Sequence, residues 1–288
     1  MSATFDKRLT PARPDIAASH LRGKVEAARF VEGRREQIVV EVADLRSAPS
    51  FAAPLDSQAI RGEIFTVYEF EEGWAWGQLE RDSYVGFLPA AALAPARAAS
   101  THRVNVLRTF LYPGPSMKLP VELALPLNAE ICVTSFEGDF ARLGEEGFVW
   151  SGHLATLDRY ESDFVAVAER FIGIPYLWGG KTALGLDCSG LVQTALCAAG
   201  ISAPRDTDMQ EKALGHVIAT GPELQGLQRG DFVFWKGHVG IMRDARTLLH
   251  ANGHHMLVAS EQLDVAVARI AAKTFGAVSC IKRLDAAR

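Results

Sequence analysis

The chain has 288 residues, 48% hydrophobic and 22% charged, with a formal net charge of −4. That length holds two or three domains with cores of their own, in the ordinary composition of a globular protein. The weak acidic balance gives no reason to expect nucleic acid or an anionic membrane as partner, and no apolar run approaches the roughly 18–20 residues of a membrane span.

The amino-terminal stretch MSATFDKRLTPARPDIAASH lacks the continuous apolar run of a secretory signal, so cytoplasmic residence is expected. Residues 1–41 form a polar, Pro-bearing lead-in with a short helix or strand that docks on the next domain. From 42 to 158 the chain states one pattern twice. Leu45-Arg46-Ser47 is echoed by Leu107-Arg108-Thr109, and Gly62-Glu63-Ile64 by Ala129-Glu130-Ile131. Glu72-Gly73 with Trp76 and Leu79 is echoed by Glu137-Gly138 with Phe140 and Leu143, and Tyr84-Val85 by Phe148-Val149. Short alternating strands broken by Gly, Pro, Asp and Ser read as two small all-β barrels, at 42–95 and 100–158, joined by an Ala-rich link over 90–100. The pattern resembles bacterial SH3 domains in tandem.

At 160–172 the apolar spacing predicts an amphipathic helix. Tyr176, Trp178, Gly179 and Gly180 then lead to Asp187-Cys188-Ser189-Gly190, after which Leu191, Val192, Ala195, Leu196 and Ala199 recur at helical spacing up to a stop at Gly200. A polar loop (204–210), a short helix and strands near 230–235, 238–242, 248–250 and 277–281 complete the domain 160–288. Early helices followed by antiparallel strands make it α+β.

Cys188 falls in the first turn of its helix, where unpaired N–H groups and the helix dipole favour a thiolate. A buried structural cysteine is the alternative. The cysteines at 132, 188, 197 and 280 form no CxxC pair, so neither a disulfide framework nor a zinc ribbon is indicated. Cys188 and Cys197 share one helix and cannot bridge.

The segment 243–246 is turn-like between two apolar runs. A hairpin symmetric about Asp244 sets Met242 opposite Arg246, Gly240 opposite Leu248 and His238 opposite His250. Opposed residues share a face with Cβ atoms about 4.5–5.5 Å apart, so two imidazoles would stand side by side. Three readings are open. Cys188 is a nucleophile with His238 as base and His250 orienting it; or His238, His250 and His254 or His255 hold a metal, although no carboxylate partner is apparent; or the histidines are ordinary residues.

Pro175-Tyr176-x-Trp178-Gly179-Gly180, Asp187-Cys188-Ser189-Gly190-Leu191-Val192, Gly230-Asp231-x-Val233-Phe234, His238-Val239-Gly240-Ile241 and His250-Ala251 together resemble the NlpC/P60 cysteine peptidases. The resemblance covers roughly 160–285 and implies an α+β papain-like catalytic domain preceded by two SH3-like barrels. That arrangement is similar to γ-D-glutamyl-L-diamino acid endopeptidases acting on murein stem peptides. It implies Cys188 as nucleophile, His238 as base, His250 as third polar residue, and Tyr176 as oxyanion donor, with core packing as the other role for Tyr176. Asp187 and Ser189 match a substrate-holding pair, Asp187 serving equally as a helix N-cap. Trp178 would wall the dipeptide site or fill the core. Glu63 and Tyr84 are candidates for closing that site around a free L-Ala amine, or are plain barrel residues. Arg205, Asp206 and Thr207 match a site-lining motif, with Arg205 alternatively a structural ion-pair partner. The expected partner is a small murein peptide, and the chemistry needs no metal or organic cofactor.

Overall fold

A computed structural model of the chain describes residues 5–96, 99–219, 221 and 224–285. Parts of three expected segments lie outside those residues: 1–4 of the lead-in, 97–98 of the Ala-rich link, and 220, 222–223 and 286–288 of the last domain. The chain divides into two compact units, Met1–Asp158 and Arg159–Arg288.

In the first unit the lead-in supplies strand Ile16–Ala18, the 3-10 turn Ser19–Leu21 and strand Arg29–Val31, which pairs parallel to the first. The next strand, Arg34–Ile38, is not lead-in. It lies between Ile64–Glu71 and Leu93–Pro95 in a seven-stranded antiparallel sheet, so the first barrel starts at 34 rather than 42. The charged stretch disguised it, because only Glu36 and Ile38 of this strand turn inward, and Glu36 is ion-paired to Arg34.

The repeat shows in strand order. The first sheet runs Leu55–Ile60, Val42–Arg46, Val85–Pro89, Trp74–Leu79, Ile64–Glu71, Arg34–Ile38, Leu93–Pro95. In the second barrel Leu123–Pro126, Arg108–Tyr112, Phe148–Trp150, Phe140–Arg142 and Ser135–Glu137 form one sheet, and Glu130–Ile131, His102–Val104 and Leu154–Thr156 another. The order is the same, except that the long strand Ile64–Glu71 is replaced by two pieces, which splits the sheet. A 3-10 turn precedes the closing strand in both (Ala90–Ala92 and Ser151–His153). Each barrel has its own core, Leu45, Phe65, Val67, Leu79 and Leu88 in one and Val104, Leu111, Leu125, Leu143 and Val149 in the other. The equivalent glutamates of the two copies share one guanidinium: Arg81 lies 2.7 Å from Glu63 and 2.7 Å from Glu130.

The second unit has four helices among its described residues: α1 (Phe164–Glu169), α2 (Cys188–Ala198), α3 (Thr207–Ala213) and α4 (Leu263–Lys273). Its main sheet contains β1 (His216–Val217), β2 (Phe232–Trp235), β3 (His238–Met242), β4 (Thr247–Asn252), β5 (Leu257–Gln262) and β6 (Cys280–Arg283), in the order β1-β6-β2-β3-β4-β5 and antiparallel throughout. The expected 160–172 helix is shorter because Asp163 caps α1, accepting from the N–H groups of Val165 and Ala166 at 2.9 and 3.1 Å. Gly200, at φ +75°, follows α2 in the left-handed conformation that closes a helix end. Helix α4 and strand β5 were not expected. α4 packs its Leu263, Ala266 and Ile270 on the sheet face made by Val233, Trp235, Met242 and Leu248.

Candidate active site

The loop before α2 is built for close approach. A Cβ on Gly190 would lie 2.1 Å from the Gly180 carbonyl oxygen, so only glycine lets the loop lie against the helix start. Asp187 is the N-cap of α2 and binds both sides of that junction. One carboxylate oxygen accepts from Gly190 N–H at 2.6 Å, and the other from Gly179 N–H at 2.8 Å. The fully buried Arg205 forks onto the same carboxylate at 2.9 and 2.6 Å, and also reaches the Ser189 hydroxyl at 2.9 Å. Asp187, Ser189 and Arg205 are thus buried and turned towards one another, positioning the turn that carries Cys188. Asp206 is the residue at the N-cap of α3, and Thr207 places its hydroxyl 3.6 Å from the Cys188 sulfur.

The hairpin between β3 and β4 differs from the expected register. Ile241 pairs with Leu249 and Met242 with Leu248, and Arg243 N–H donates to Thr247 O at 2.8 Å, so the hairpin is centred on Ala245 rather than Asp244. The Asp244 carboxylate draws the turn forward by accepting from the N–H groups of Arg246 and Thr247 at 2.8 and 2.9 Å. His238 and His250 are therefore diagonal neighbours, not opposed ones. Moving the centre by one residue moves the pairing by two, and a two-residue slip keeps every side chain on its face. The rings still meet, His238 Nε2 lying 2.8 Å from His250 Nδ1. Gly237, at φ +89°, allows the two-residue reversal from Trp235 to His238.

Sequence reasoning missed the next member. Glu261 on β5 pairs across from Leu248, which places it diagonally from His250 on the same face. Its Oε1 is 2.7 Å from His250 Nε2, and Arg269 of α4 holds the carboxylate from the far side at 2.6 Å. An ionised carboxylate only accepts, so His250 Nε2 carries a proton and donates. His250 Nδ1 then accepts from His238 Nε2–H, which leaves His238 Nδ1 as the basic nitrogen. Both nitrogens of His250 are engaged in this chain, which disfavours the metal reading.

Tyr176, Trp178, Cys188, His238 and His250 line one cavity of about 330 Å³, together with Asn252, His254 and the α4 end from Arg269 to Phe275. Tyr176 is fixed by its N–H to the Met256 carbonyl at 2.9 Å. Burial, reinforced by the nearby Cys188 and Asp187, raises its hydroxyl above the usual range, so it remains a donor. Trp178 is 68% exposed and is a wall residue, not a core wedge.

Burial works against the thiolate expected at this helix start. Burial, with the Asp187 carboxylate adding, pushes the Cys188 thiol up to about 11, against the opposing Thr207 hydroxyl, Val239 N–H and Arg205. Burial and then the His250 and Arg269 charges push His238 down to about 3, with Glu261 opposing. Phe275 stacks on the His238 ring at 5.4 Å and Trp235 lies at 5.6 Å, which is the apolar setting responsible. This desolvation works against the capped helix start and favours the neutral thiol and the neutral imidazole.

Glu63 and Tyr84 lie in the first unit. The Glu63 carboxylate accepts from Ile60 N–H at 2.9 Å besides pairing with Arg81, and Tyr84 is 5% exposed in the first barrel's core.

Residues 173–271 match the NlpC/P60 family. The second unit is an NlpC/P60 domain. Residues 45–93, within the first barrel, match the bacterial dipeptidyl-peptidase Sh3 domain. A gamma-D-glutamyl-L-lysine dipeptidyl-peptidase of Bacillus subtilis is 36% identical over 97 residues, 31% of this chain and 31% of that protein. One of Bacillus cereus is 26% identical over 208 residues, 64% of this chain and 61% of that protein. These matches span less than two thirds of either curated relative. A crystal structure of an NlpC/P60 family protein from Bacillus cereus shares the fold, with a TM-score of 0.73 over 86% of this chain and 99% of that one at 20% identity. The NlpC/P60 domain is of the cysteine-peptidase type and papain-like, and it follows an SH3 domain. Among the described residues no helix is long and apolar enough to cross a membrane.

Proposed function

We propose that the chain is a cysteine endopeptidase that hydrolyses the γ-D-glutamyl–diamino acid bond of murein stem peptides bearing a free N-terminal L-Ala, and so recycles wall peptides in the cytoplasm. The observation that carries the reading is the hydrogen-bonded series His238–His250–Glu261 opening on the same cavity as Cys188. In this reading His238 Nδ1 takes the thiol proton as sulfur attacks the γ-carbonyl of D-Glu. Tyr176 and the Cys188 backbone N–H donate to the oxyanion. His238 then returns the proton to the departing amine, and water, activated by the same nitrogen, releases the acyl group from sulfur. The names of the two Bacillus dipeptidyl-peptidases support the bond choice.

The test is mass spectrometry of products from L-Ala-γ-D-Glu-diaminopimelate with a free and with an acetylated amino terminus. Cleavage of the free form alone, lost in Cys188→Ala, is the expected result. Cleavage of an N-acetylmuramoyl-L-alanine bond instead would make the chain an amidase. Activity that survives iodoacetamide and fails with a chelator would overturn the thiol mechanism.

A further inference from the structure

A buried thiol that gives up its proton needs hydrogen-bond donors to carry the charge, and needs them again when sulfur leaves the acyl group. Two groups stand at the Cys188 sulfur. The Val239 N–H lies beyond Ile241–Leu249, the last pair of the β3–β4 ladder, and donates to the sulfur. The Thr207 hydroxyl lies 3.6 Å away. Thr207 is buried, and the sulfur is the one hydrogen-bond partner its hydroxyl has among the described residues. Nor does Thr207 belong to the described residues that line the cavity of about 330 Å³. Its place is fixed from two sides. Arg205, two residues before it, is forked on Asp187 at the start of α2. Gln210, one turn after it on α3 and fully buried, donates to the carbonyls of Ser189 and Pro204 at 2.9 Å each. The loop and the first turn of α3 thus bring one neutral, rotatable O–H to the nucleophile.

We propose that Thr207 is a catalytic residue whose hydroxyl donates to the Cys188 sulfur whenever that sulfur carries charge. Beside the neutral thiol a hydroxyl either accepts or donates; beside a thiolate it rotates and donates. When His238 Nδ1 takes the thiol proton, the Thr207 O–H turns its hydrogen to the thiolate. The donation ends as the C–S bond forms and the amine leaves with the proton from His238. It returns when water has added to the thioester and the C–S bond breaks, because sulfur departs with the electron pair until His238 returns a proton to it. A carboxylate at this place would repel the thiolate, and an ammonium would be a buried charge beside the neutral thiol, so a hydroxyl suits both states. This inference rests on Cys188 as the nucleophile of the endopeptidase reading and does not depend on which bond is cut.

The experiment follows iodoacetamide alkylation of Cys188 against pH, read by mass spectrometry of the peptide that contains it, in the full chain and its Thr207→Val and Thr207→Ser forms. kcat and KM for L-Ala-γ-D-Glu-diaminopimelate are measured beside it. Thr207→Val keeps the shape and removes the O–H. It should slow alkylation about tenfold at each pH of the alkaline climb, the lower end for a hydrogen bond to a charged group and equal to a rise of about one pH unit in the thiol. kcat should fall by about the same factor with KM little changed. Thr207→Ser restores the hydroxyl without the methyl and should recover most of both losses. If Thr207→Val does not fold, Thr207→Ala serves as the form without a hydroxyl. Alkylation unmoved in that form would overturn the proposal. So would a Thr207→Ser chain as slow as it, which would assign the effect to packing. Alkylation that shifts as expected, with no cleavage of the peptide by the wild-type chain, would overturn the endopeptidase reading and leave the hydroxyl's role standing.

Discussion

Replacing Glu261 by Gln separates a positioning role from a structural one. Glu261 is the fixed acceptor that forces the proton onto His250 Nε2 and, one ring further, leaves His238 Nδ1 basic. A Gln amide has two orientations. With its oxygen towards His250 the tautomers survive, but its NH₂ then faces the Arg269 guanidinium. With its NH₂ towards His250 both rings take the opposite tautomer, and His238 Nδ1 carries a proton where it must accept one. The electrostatic loss can be sized as well. The imidazolium forms on His238, whose ring centroid is 5.1 Å from that of His250, and the carboxylate lies 2.7 Å beyond His250. Removing a unit charge at about 8 Å with an effective dielectric near 20 costs roughly 2 kcal/mol. That corresponds to about a 30-fold fall in kcat. The direction of the pH effect is fixed too. Glu261 raises the proton affinity of His238, so its loss lowers that affinity, and the acid limb of kcat/KM moves to lower pH while the maximum falls. Arg269→Gln removes the opposing charge and should move the limb the other way. The assay is the pH profile of tripeptide cleavage in both variants, with calorimetry to show that they are folded. A lower maximum with no displacement of the acid limb in either variant would refute the reasoning.

Other parts of the site give further outcomes. Arg205→Met leaves the Asp187 carboxylate buried without its guanidinium and should cost about 3–5 kcal/mol, read from the urea unfolding of the second unit; a loss under about 1 kcal/mol would mean that the fork is dispensable. Tyr176→Phe should lower kcat by about 100-fold with little change in KM, because the hydroxyl acts on the oxyanion and not on the bound peptide; an unchanged kcat would return Tyr176 to a packing role. Iodoacetamide alkylation of Cys188 should climb through the alkaline range, since burial raises the thiol and lowers the imidazole; a plateau from about pH 5 to 8 would mean a resting thiolate–imidazolium pair.

The β repeat was legible because both copies place a Glu-Gly or Gly-Asp reversal between the same two strands, and turn chemistry is local. The barrel's opening strand was not, since Arg34–Ile38 sends arginines outward and buries a glutamate that is neutralised inside the same strand. α4 was hidden for a different reason. LDVAVARIAAK alternates valines in a strand-like rhythm, and its helical conformation is favoured by burying Leu263, Ala266 and Ile270 on a sheet face that the sequence does not display.

At the site, what was legible obeyed parity, and what was hidden depended on distance along the chain. The expected hairpin centre was wrong by one residue, yet His238 and His250 still meet, because strand side chains alternate with a period of two and any even slip preserves the face. A slip of one would have sent one ring into the opposite layer, among Phe232, Phe234 and Ile241, with no partner for its nitrogens. The meeting of the two imidazoles was thus protected by geometry against the error actually made. Glu261 had no such protection. Its place beside His250 depends on how the four residues 253–256 turn β4 into β5, a reversal with Met256 at φ +53° where glycine is usual, so no common turn signal fixes the register. Arg269 is further removed, since it reaches the carboxylate only after α4 has folded back over the sheet. Residues placed by α2 and one hairpin could be read from sequence, whereas the charges that set their protonation required the assembled sheet.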